Sequence, residues 1–572
     1  MRRGRRKLNV KKLITFIVVV LIAILLVIFG IKFLFKGNSV SLKKSYDKYL
    51  ASDINVVDLY NYVSPTEGEG NKKFEKVDTL VRGSKIKTKG DTSIINDLEY
   101  TLVTSGESEY YVLSSNLVDK ESDVVLEKEK FVRTSVTVYK NETDSKIQSF
   151  VKKGNSLEVL GYDKLLEDGN VNMYNIKKDD VSGWVYSKYL VNDLVSAEEV
   201  YNENGTFDIH KDRKYPSREL YGGKASNLDY YPYERVSFDD NPLLENATTM
   251  YLNAGGNVIS NIDKYLSIAT SSGVNAIVVD IKDGALAYSS EVAKEYSPTA
   301  YATAINDNSV YKSAIDKIKD AGIYAIGRIV VFNDVHYGKD HPEDCISSSA
   351  SSRLWPSAYS RGAWEYNVEL AKEAVLEMGF NEIQFDYVRF PEDAYKMSVS
   401  GNTDFKNIYN EEKAEAVQNF LFYATDQIHK VGAYLSVDVF GECSGTYVTA
   451  YGQYWPAISN IVDVISSMPY TDHFDRNNSI YWTNPYKTVY NWATGAAARQ
   501  TEIPTPAIAR TWVTAYDTPY WNPTVIYNAS KISDQAQALV DAGLKGGFIT
   551  WNSASSLSKY EQIKSAFSKT YE

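Results

Sequence analysis

The stretch Gly379-Phe380-Asn381-Glu382-Ile383-Gln384-Phe385-Asp386-Tyr387-Val388-Arg389-Phe390-Pro391 decides the fold of the C-terminal half. Its central residues, 382–390, are a candidate β-strand that carries Asp386 and Arg389 towards its C-terminal end. Helical periodicity precedes this strand at 364–378 and follows it at 410–430. A buried strand between two helices of this length indicates a parallel sheet with helical crossovers.

The same pattern continues on both sides of this strand. Eight strands are predicted, at 249–253, 276–281, 325–332, 382–390, 434–440, 462–470, 505–512 and 547–552. Helices are predicted between and after them, at 260–272, 306–321, 364–378, 410–430, 485–498, 530–542 and 556–568. Eight such repeats within 247–572 favour an α/β fold of the (β/α)8 TIM barrel type, with an open parallel sheet as the alternative.

Polar and aromatic residues gather at the C-terminal ends of these strands, where the active sites of such barrels lie. The candidates are Asp280, Lys282, Arg328, Asp386, Tyr387, Arg389, Asp438, Glu442, Tyr470, His473, Arg510, Trp512, Trp551 and Asn552. A charge within a buried strand is costly unless it is paired. Six of the eight strands carry one, so we expect a functional site at this rim.

These strings resemble a bacterial family of predicted glycoside hydrolases, the "putative glycosyl hydrolase" barrel domain, over about residues 247–565. The run 379–391 is the most specific piece. Supporting pieces lie at 279–283, 327–332, 438–441, 462–468 and 551–552. The chain departs from the family pattern at 471–474, and at 513–515 it lacks an expected Gln and Asp, which leaves the substrate open.

The resemblance implies glycoside hydrolysis, which needs two carboxyl groups, one as proton donor and one as nucleophile or base. Asp386 is the first choice for the nucleophile or base, because Arg389 or Arg328 would keep it ionised. Asp438 is the predicted acid, with Glu442 as the alternative.

The other rim residues are predicted to bind substrate. Asp280 would bind a sugar hydroxyl or pair with Lys282 or Arg328, and His473 would polarise the substrate or pair with Asp472. The aromatic candidates are platforms for sugar rings, namely Tyr387, Tyr470, Trp512 and Trp551. Arg510 and Asn552 complete the predicted substrate-binding set. Each carboxylate also has a structural interpretation, as one half of an ion pair.

The N-terminus predicts a membrane anchor. Residues 1–12 carry seven positive charges, and an uncharged apolar run follows from Leu13 to Ile31. At 1.5 Å per residue this run can cross ~30 Å of hydrocarbon, so we predict a single transmembrane helix at 13–35 rather than a cleaved signal peptide. The basic residues place the N-terminus in the cytoplasm and the bulk of the chain outside the cell.

Two small β modules are predicted between the anchor and the barrel. A polar stalk at 36–73 would lead to a first module at 74–120 and a second at 131–192, which end alike and suggest an internal duplication. The second module resembles bacterial SH3-like modules through Gly183-Trp184-Val185 and Tyr189-Leu190, which implies cell-wall binding. A spacer is the alternative. Residues 193–246 are a predicted linker.

Composition narrows the partners. The net charge of −11 argues against nucleic acid. No Gly-rich loop has phosphate-binding form, so we predict neither a cofactor nor a metal. Two weaker alternatives are a metal held near His336 and His341, and a disulfide between Cys345 and Cys443.

We therefore predict a membrane-anchored glycoside hydrolase that acts on a cell-envelope or extracellular polysaccharide. The main alternative is a non-catalytic carbohydrate or cell-wall binding protein on a TIM-barrel scaffold. A sugar transferase is a weaker alternative.

Overall fold

The computed structural model describes residues 44–63, 73–215 and 221–572. These residues form two units, the first made of 44–63, 73–127 and 165–170, and the second of 128–164, 171–215 and 221–572. The predicted cytoplasmic tail and transmembrane helix lie outside the described residues. Within the described ranges, every helix is too short or too polar to cross a bilayer.

The first unit contains a seven-stranded antiparallel sheet, in the order β3-β2-β6-β5-β4-β1-β7. Its strands are β1 (Tyr46–Leu50), β2 (Val56–Val63), β3 (Lys73–Val81), β4 (Lys85–Ile95), β5 (Leu98–Ser105), β6 (Ser108–Leu113) and β7 (Leu117–Val118). Because Val57 and Leu59 alternate into the core, β2 is an ordinary half-buried strand. The prediction of a stalk at 36–73 was therefore wrong for β1 and β2, which belong to the first module.

The second β module repeats this topology within the second unit. Its strands are β8 (Glu129–Val132), β9 (Val136–Tyr139), β10 (Ile147–Val151), β11 (Ser156–Tyr162), β12 (Met173–Lys178), β13 (Val181–Tyr186) and β14 (Leu190–Val191). They pair in the order β10-β9-β13-β12-β11-β8-β14, which is the order of the first module shifted by seven. This shared order supports an internal duplication. The resemblance to SH3-like modules stays a prediction.

The second module packs directly on a barrel helix, Lys413–Lys430. The Tyr189 hydroxyl donates a hydrogen bond of 2.8 Å to Asp426, whose carboxylate also pairs with Lys188. The Tyr139 and Tyr423 rings stack with their centroids 6.0 Å apart. This module and the barrel therefore share a buried contact rather than being joined only by a linker.

The predicted linker, 193–246, also packs on the barrel. It contains two short helices, Leu194–Glu198 and Thr206–His210. His210 is buried, stacks on Tyr230 at 4.2 Å and lies 2.7 Å from the Tyr454 hydroxyl of the barrel. The described residues of this segment, 193–215 and 221–246, are therefore part of the barrel's packing.

The parallel strands form a nearly closed barrel in the second unit. In chain order the barrel strands are β15 (Ala247–Leu252), β16 (Ala276–Asp283), β18 (Tyr324–Val330), β20 (Glu382–Asp386), β22 (Tyr434–Phe440), β23 (Val464–Met468), β24 (Ile508–Ala509), β25 (Thr511–Thr514) and β26 (Gly547–Trp551). Among the described residues, β17 (Ala285–Leu286) pairs antiparallel with β16, and β19 (Ser347–Ser348) and β21 (Thr403–Asp404) form a separate two-stranded antiparallel sheet.

The barrel sheet runs β24-β23-β22-β20-β18-β16-β15-β26-β25, with β17 beside β16. β24 and β25 are the two halves of the seventh predicted strand, on either side of Arg510. The Arg510 amide donates a hydrogen bond of 3.0 Å to the Ile465 carbonyl of β23, so the hydrogen bonding between the strands continues across this break. The alternative of an open sheet was wrong.

Helices surround the barrel at Gly256–Ile259, Ile262–Thr270, Glu291–Tyr296, Pro298–Tyr301, Asn308–Asp320, Val335–Asp340, Arg361–Glu373, Ala394–Ser400, Lys413–Lys430, Trp455–Ser459, Ile480–Thr483, Pro485–Gln500, Ala529–Asp541 and Leu557–Phe567. Side-chain caps begin several of them. Ser360, for example, accepts from the Ala363 amide at 3.1 Å and so satisfies one of the free N–H groups of the first turn.

Candidate active site

Arg328 lies at the centre of the polar cluster in the upper part of the barrel. It projects from β18 and binds carboxylates from the two neighbouring strands, β16 and β20. Its Nη1 lies 2.7 Å from Asp280 and 3.1 Å from Asp283, and its Nη2 lies 2.6 Å from Asp386. A fourth carboxylate, Asp438, is 3.7 Å from its Nε. One buried guanidinium thus faces four carboxyl groups.

A cleft opens above this cluster at the C-terminal ends of the strands. Its volume is about 230 Å³, a little below the ~300–1,000 Å³ typical of small-molecule sites. It is lined by Asp283, Arg328, Asp386, Tyr387, Arg389, Phe440, Met468, Tyr470, His473, Trp512 and Trp551. Eight of these were predicted site residues, and the other three, Asp283, Phe440 and Met468, lie in the same strand-end strings.

Asp386 ends β20 and lines the cleft with a side chain that is 5% exposed. Besides Arg328, its Oδ1 accepts a 2.6 Å hydrogen bond from the Tyr387 amide. Tyr387 itself has φ = 55°, a left-handed conformation that is costly for a bulky residue and that recurs at functional sites.

Asp283 is the second carboxylate of the cleft, and the site prediction missed it. A register shift between Asp280 and Lys282 interrupts the alternation of β16, because Lys282 pairs with Ile329 one place later than expected. Such a bulge re-aims the side chains that follow it. Asp283 consequently lines the cleft, with its side chain 45% exposed.

The same register shift explains why Lys282 was wrongly predicted as a substrate ligand. Lys282 is buried and binds Asp334 at 2.5 Å and the Asn367 side chain at 2.8 Å, against the Tyr366 ring. It does not line the cleft.

Asp280 and Asp438, both predicted site residues, lie beneath the cleft. Asp280 is bound by Arg328 and by the Tyr251 hydroxyl at 2.5 Å, and burial raises its pKa to about 6. Asp438 has a fully buried side chain. Its Oδ1 accepts from the Trp512 indole at 2.7 Å, and its Oδ2 has no hydrogen-bond partner among the described residues.

Asp438 is in the environment of a neutral carboxylic acid. Burial, together with the adjacent charge of Asp386, raises its pKa well above the usual range. A carboxyl group that shares a site with an ionised one is expected to keep its proton. Because Asp438 is sealed from the cleft, it is poorly placed to protonate a bound sugar directly.

Three further predicted residues do not reach the cleft. Glu442 lies in a 3-10 turn beyond β22 and accepts 2.9 Å hydrogen bonds from Tyr447 and Tyr451. Arg510 is fully buried and pairs with Glu382, the first residue of β20, so it belongs to the opposite end of the barrel. Asn552 is buried just after β26.

Arg389 lines the cleft, but it forms its ion pair with Glu392 rather than with the predicted partner, Asp386. It pairs with Glu392 at 2.7 Å and stacks over the Phe440 ring at 4.3 Å, so Arg328 alone fulfils the predicted pairing with Asp386. His473 also lines the cleft, with a side chain that is 60% exposed and lies 4.0 Å from Asp472.

The four predicted aromatic platforms all line the cleft, namely Tyr387, Tyr470, Trp512 and Trp551. Trp551 stands edge-on to Trp512, with centroids 5.5 Å apart, and stacks on Tyr470 at 6.3 Å. Flat rings of this kind offer apolar faces with a polar edge, which suits the C–H faces of sugars.

The alternatives of a disulfide and a metal find no geometry to support them. Cys345 and Cys443 are both free and buried. His341 lies 2.6 Å from the Tyr296 carbonyl and 3.3 Å from Glu343. Across residues 44–63, 73–215 and 221–572, no three His, Cys, Asp or Glu side chains are grouped so that they could hold a metal ion.

A family model described as "Putative glycosyl hydrolase domain" matches residues 249–557. The chain belongs to this family. The match confirms the glycoside hydrolase domain that the strings around 379–391 predicted. Nothing among the curated proteins matches the chain.

Solved structures with some similarity include glycoside hydrolases. The PgaB (BpsB) glycoside hydrolase domain from Bordetella bronchiseptica is 11% identical, with 57% of this chain and all of that chain covered and a TM-score of 0.41. The spore cortex-lytic enzyme SleL of Bacillus megaterium QM B1551 is 12% identical, with 58% and 76% covered and a TM-score of 0.36. A hypothetical protein from Ruminiclostridium thermocellum ATCC 27405 is 32% identical over 33% of this chain and 97% of its own, with a TM-score of 0.28.

Proposed function

We propose that this glycoside hydrolase domain cleaves a glycosidic bond of a polysaccharide with Asp386 and Asp283 as its two carboxyl groups. The observation that carries the proposal is that both side chains line one aromatic cleft and contact the two terminal nitrogens of the same guanidinium. This pair replaces the predicted pair of Asp386 with Asp438 or Glu442.

The spacing of the two carboxylates supports this pairing. Asp386 lies 2.6 Å from Arg328 Nη2, and Asp283 lies 3.1 Å from Nη1 of the same side chain. The two contacts and the width of one guanidinium keep their oxygens within the ~9.5 Å upper limit for a catalytic pair in glycosidases.

The environments of the two carboxylates support different roles. Asp386 is buried and is held in place by Arg328 and by the Tyr387 amide. It is the group that attacks the anomeric carbon or removes a proton from the attacking water. Asp283 is half exposed and can exchange protons with solvent. It protonates the glycosidic oxygen as the bond from that oxygen to the anomeric carbon breaks.

Asp280 and Asp438 hold the parts of the site in place without touching substrate. Asp280 fixes Arg328 together with the Tyr251 hydroxyl. Asp438 accepts from the Trp512 indole and so orients one wall of the cleft. Both are positioning residues in this proposal.

We place the protein at the bacterial cell surface. The basic residues 1–12 and the apolar run 13–31 support a single-pass membrane anchor with a cytoplasmic N-terminus. The substrate would then be a cell-envelope or extracellular polysaccharide, and the β modules would contact the cell wall. The proposed chemistry uses carboxyl groups, without cofactor or metal, and the acidic net charge disfavours nucleic acid as a partner.

The test compares the full-length protein with its Asp386→Asn variant on purified wall glycans and secreted polysaccharides, with release of reducing ends as the readout. Asn keeps the shape of Asp but cannot act as nucleophile or base. We expect new reducing ends only with the native protein. Glu291→Gln, which changes an exposed carboxylate far from the cleft, is the matched control. Equal turnover by native and Asp386→Asn proteins would remove Asp386 from the mechanism.

One observation favours the alternative of a carbohydrate-binding protein. Asp386 is 95% buried and already paired, as expected of a structural ion pair. In that case a polysaccharide would bind in the aromatic cleft, and neither protein would release reducing ends. A transferase would instead yield a longer or branched product.

A further inference from the structure

Exposed aromatic side chains continue beyond the cleft along two loops of the barrel, which follow β23 and β25. Phe474 is 40% exposed and Tyr520 is 97% exposed. We call the residues 473–481 and 516–521 the rim shelf. Large apolar side chains in such a position cost solubility without stabilising the core, which makes a ligand role worth testing.

The rim shelf is a braced surface rather than two separate loops. Asp472 at its base accepts a 2.6 Å hydrogen bond from the Tyr516 hydroxyl and a 3.2 Å bond from the Trp521 indole. Trp521 also packs against Trp482, with centroids 5.4 Å apart, and lies under the Arg476 guanidinium at 5.4 Å. These contacts hold the Tyr516 and Trp521 rings in place.

The rim shelf is continuous with the cleft. His473 lines the cleft, and Phe474 is the next residue. The Phe474 and Tyr481 rings are stacked 5.4 Å apart at an angle of only 9°. Tyr470 of the cleft wall approaches Tyr516 at 6.3 Å. A chain leaving the cleft on this side would meet the shelf at once.

We infer that the rim shelf binds further units of a long, equatorially linked pyranose chain whose scissile bond lies in the cleft. This inference rests on the proposed function and adds the class of substrate, a polymer rather than a disaccharide. Pyranose units with equatorial substituents present flat C–H faces, and these match flat aromatic rings. Units bound on the shelf would add affinity that a disaccharide cannot reach.

The surface suits a saccharide better than a protein partner. Its rings are separated by polar residues, among them Asp475, Arg476 and Asn477, instead of forming one continuous apolar patch. Protein interfaces of standard size bury about 800 Å² per partner with a dry apolar centre. Alternating rings and hydrogen-bonding groups match the alternating C–H faces and hydroxyls of a sugar chain.

The test measures binding by calorimetry with the full-length Asp386→Asn protein, so that the ligand stays intact. The probes are β-1,4-linked oligosaccharides of glucose and of N-acetylglucosamine, each with two and with six units. We expect at least one hexamer to bind about 10-fold or more tighter than its dimer. Phe474→Ala and Tyr520→Ala should each weaken hexamer binding about 3- to 10-fold and leave dimer binding unchanged.

Tyr486→Ala is the matched control, because Tyr486 is an exposed aromatic residue, 36% exposed, that stacks on Tyr490 along a barrel helix and hydrogen-bonds Asp541. It should change neither affinity. Equal affinities for dimer and hexamer, no binding of either sugar, or shelf variants that alter only self-association in sedimentation would each overturn the inference.

Failure of the inference and failure of the proposed function give different results. Product analysis with the native protein and the hexamers tests hydrolysis. Length-dependent binding without new reducing ends would support sugar binding by the rim shelf and contradict the proposed hydrolysis. Hydrolysis without length-dependent binding would support the proposed function and contradict sugar binding by the rim shelf.

Discussion

The barrel holds a buried arginine–carboxylate cluster at each end, and the two differ in balance. At one end Arg510 pairs with Glu382 alone, at 2.8 Å, and both side chains are fully buried. At the cleft end Arg328 faces Asp280, Asp283, Asp386 and Asp438. A matched pair serves stability. A surplus of carboxylates around one cation raises the pKa of some of them, which is a cost that a functional site can use.

The largest expected effect is that of Asp386→Asn on turnover. Loss of the nucleophile or base should lower kcat by about 10²- to 10⁴-fold. Stability should not fall, because the change removes one of several mutually repelling carboxylates around Arg328. Reducing-end assays beside thermal melts test both parts. A fall in melting temperature with turnover retained would show that Asp386, like Glu382, serves stability rather than catalysis.

Glu382→Gln should have the opposite profile. It leaves the buried Arg510 without its carboxylate, and breaking a buried pair costs about 3–5 kcal/mol. Turnover per folded molecule should be unchanged, because Glu382 begins the strand that Asp386 ends. Denaturant unfolding with an active-site titration checks this. A loss of kcat without loss of stability would contradict the division between the two ends.

Asp283→Asn should lower turnover by about 10- to 100-fold, at the low end of general acid catalysis, because solvent can partly replace an exposed proton donor. Substrates with a good leaving group, which need no protonation, should be hydrolysed almost as fast as by the native protein. Equal losses on good and poor leaving groups would exclude Asp283 as the acid.

The smallest effect is expected from Asp438→Asn, because an amide resembles the neutral acid that burial favours there. Turnover should change less than about 10-fold. The informative readout is stability against pH. The pKa of Asp438 is 3.8 in the unfolded chain and higher in the folded protein, so above pH 3.8 only the folded protein keeps this proton. The contribution of Asp438 to stability is therefore complete below pH 3.8 and is lost as the pH rises towards the pKa of the folded state.

The amide of the Asp438→Asn variant does not titrate, so it makes no such pH-dependent contribution to stability. The variant should therefore gain stability relative to the native protein as pH rises from 4 to 7, by up to about 1.4 kcal/mol per pH unit. Melting curves across this range measure the difference. A constant difference, or one that favours the native protein at neutral pH, would show that Asp438 is ionised in the fold.

Most of the barrel could be predicted from sequence because its signals are local. Buried strands and amphipathic helices differ in period, and the eight predicted strands and seven predicted helices all appear in the structure. The duplicated modules were harder to predict. β1 is only five residues long, and the pairing of β1 and β2 with β4, β6 and β7 is visible only in three dimensions.

The site was predictable only as far as strand alternation holds. Asp386, Arg328 and the four platforms follow from their positions near strand ends. One register shift in β16 exchanged the roles of Lys282 and Asp283, and no sequence signal marks it. The depth of a side chain was equally hidden, since Asp438 belongs to the fifth predicted strand but its side chain is fully buried beneath the cleft.

The contact between the second β module and helix Lys413–Lys430 has a practical consequence for anyone dividing this protein. The family match begins at 249, yet Tyr423 and Asp426 are covered by residues 139, 188 and 189. A recombinant fragment that begins at the family boundary would expose the Tyr423 ring and leave the Asp426 carboxylate without its partners Lys188 and Tyr189. The smallest piece that can be expressed and crystallised in its native form should therefore begin near residue 128.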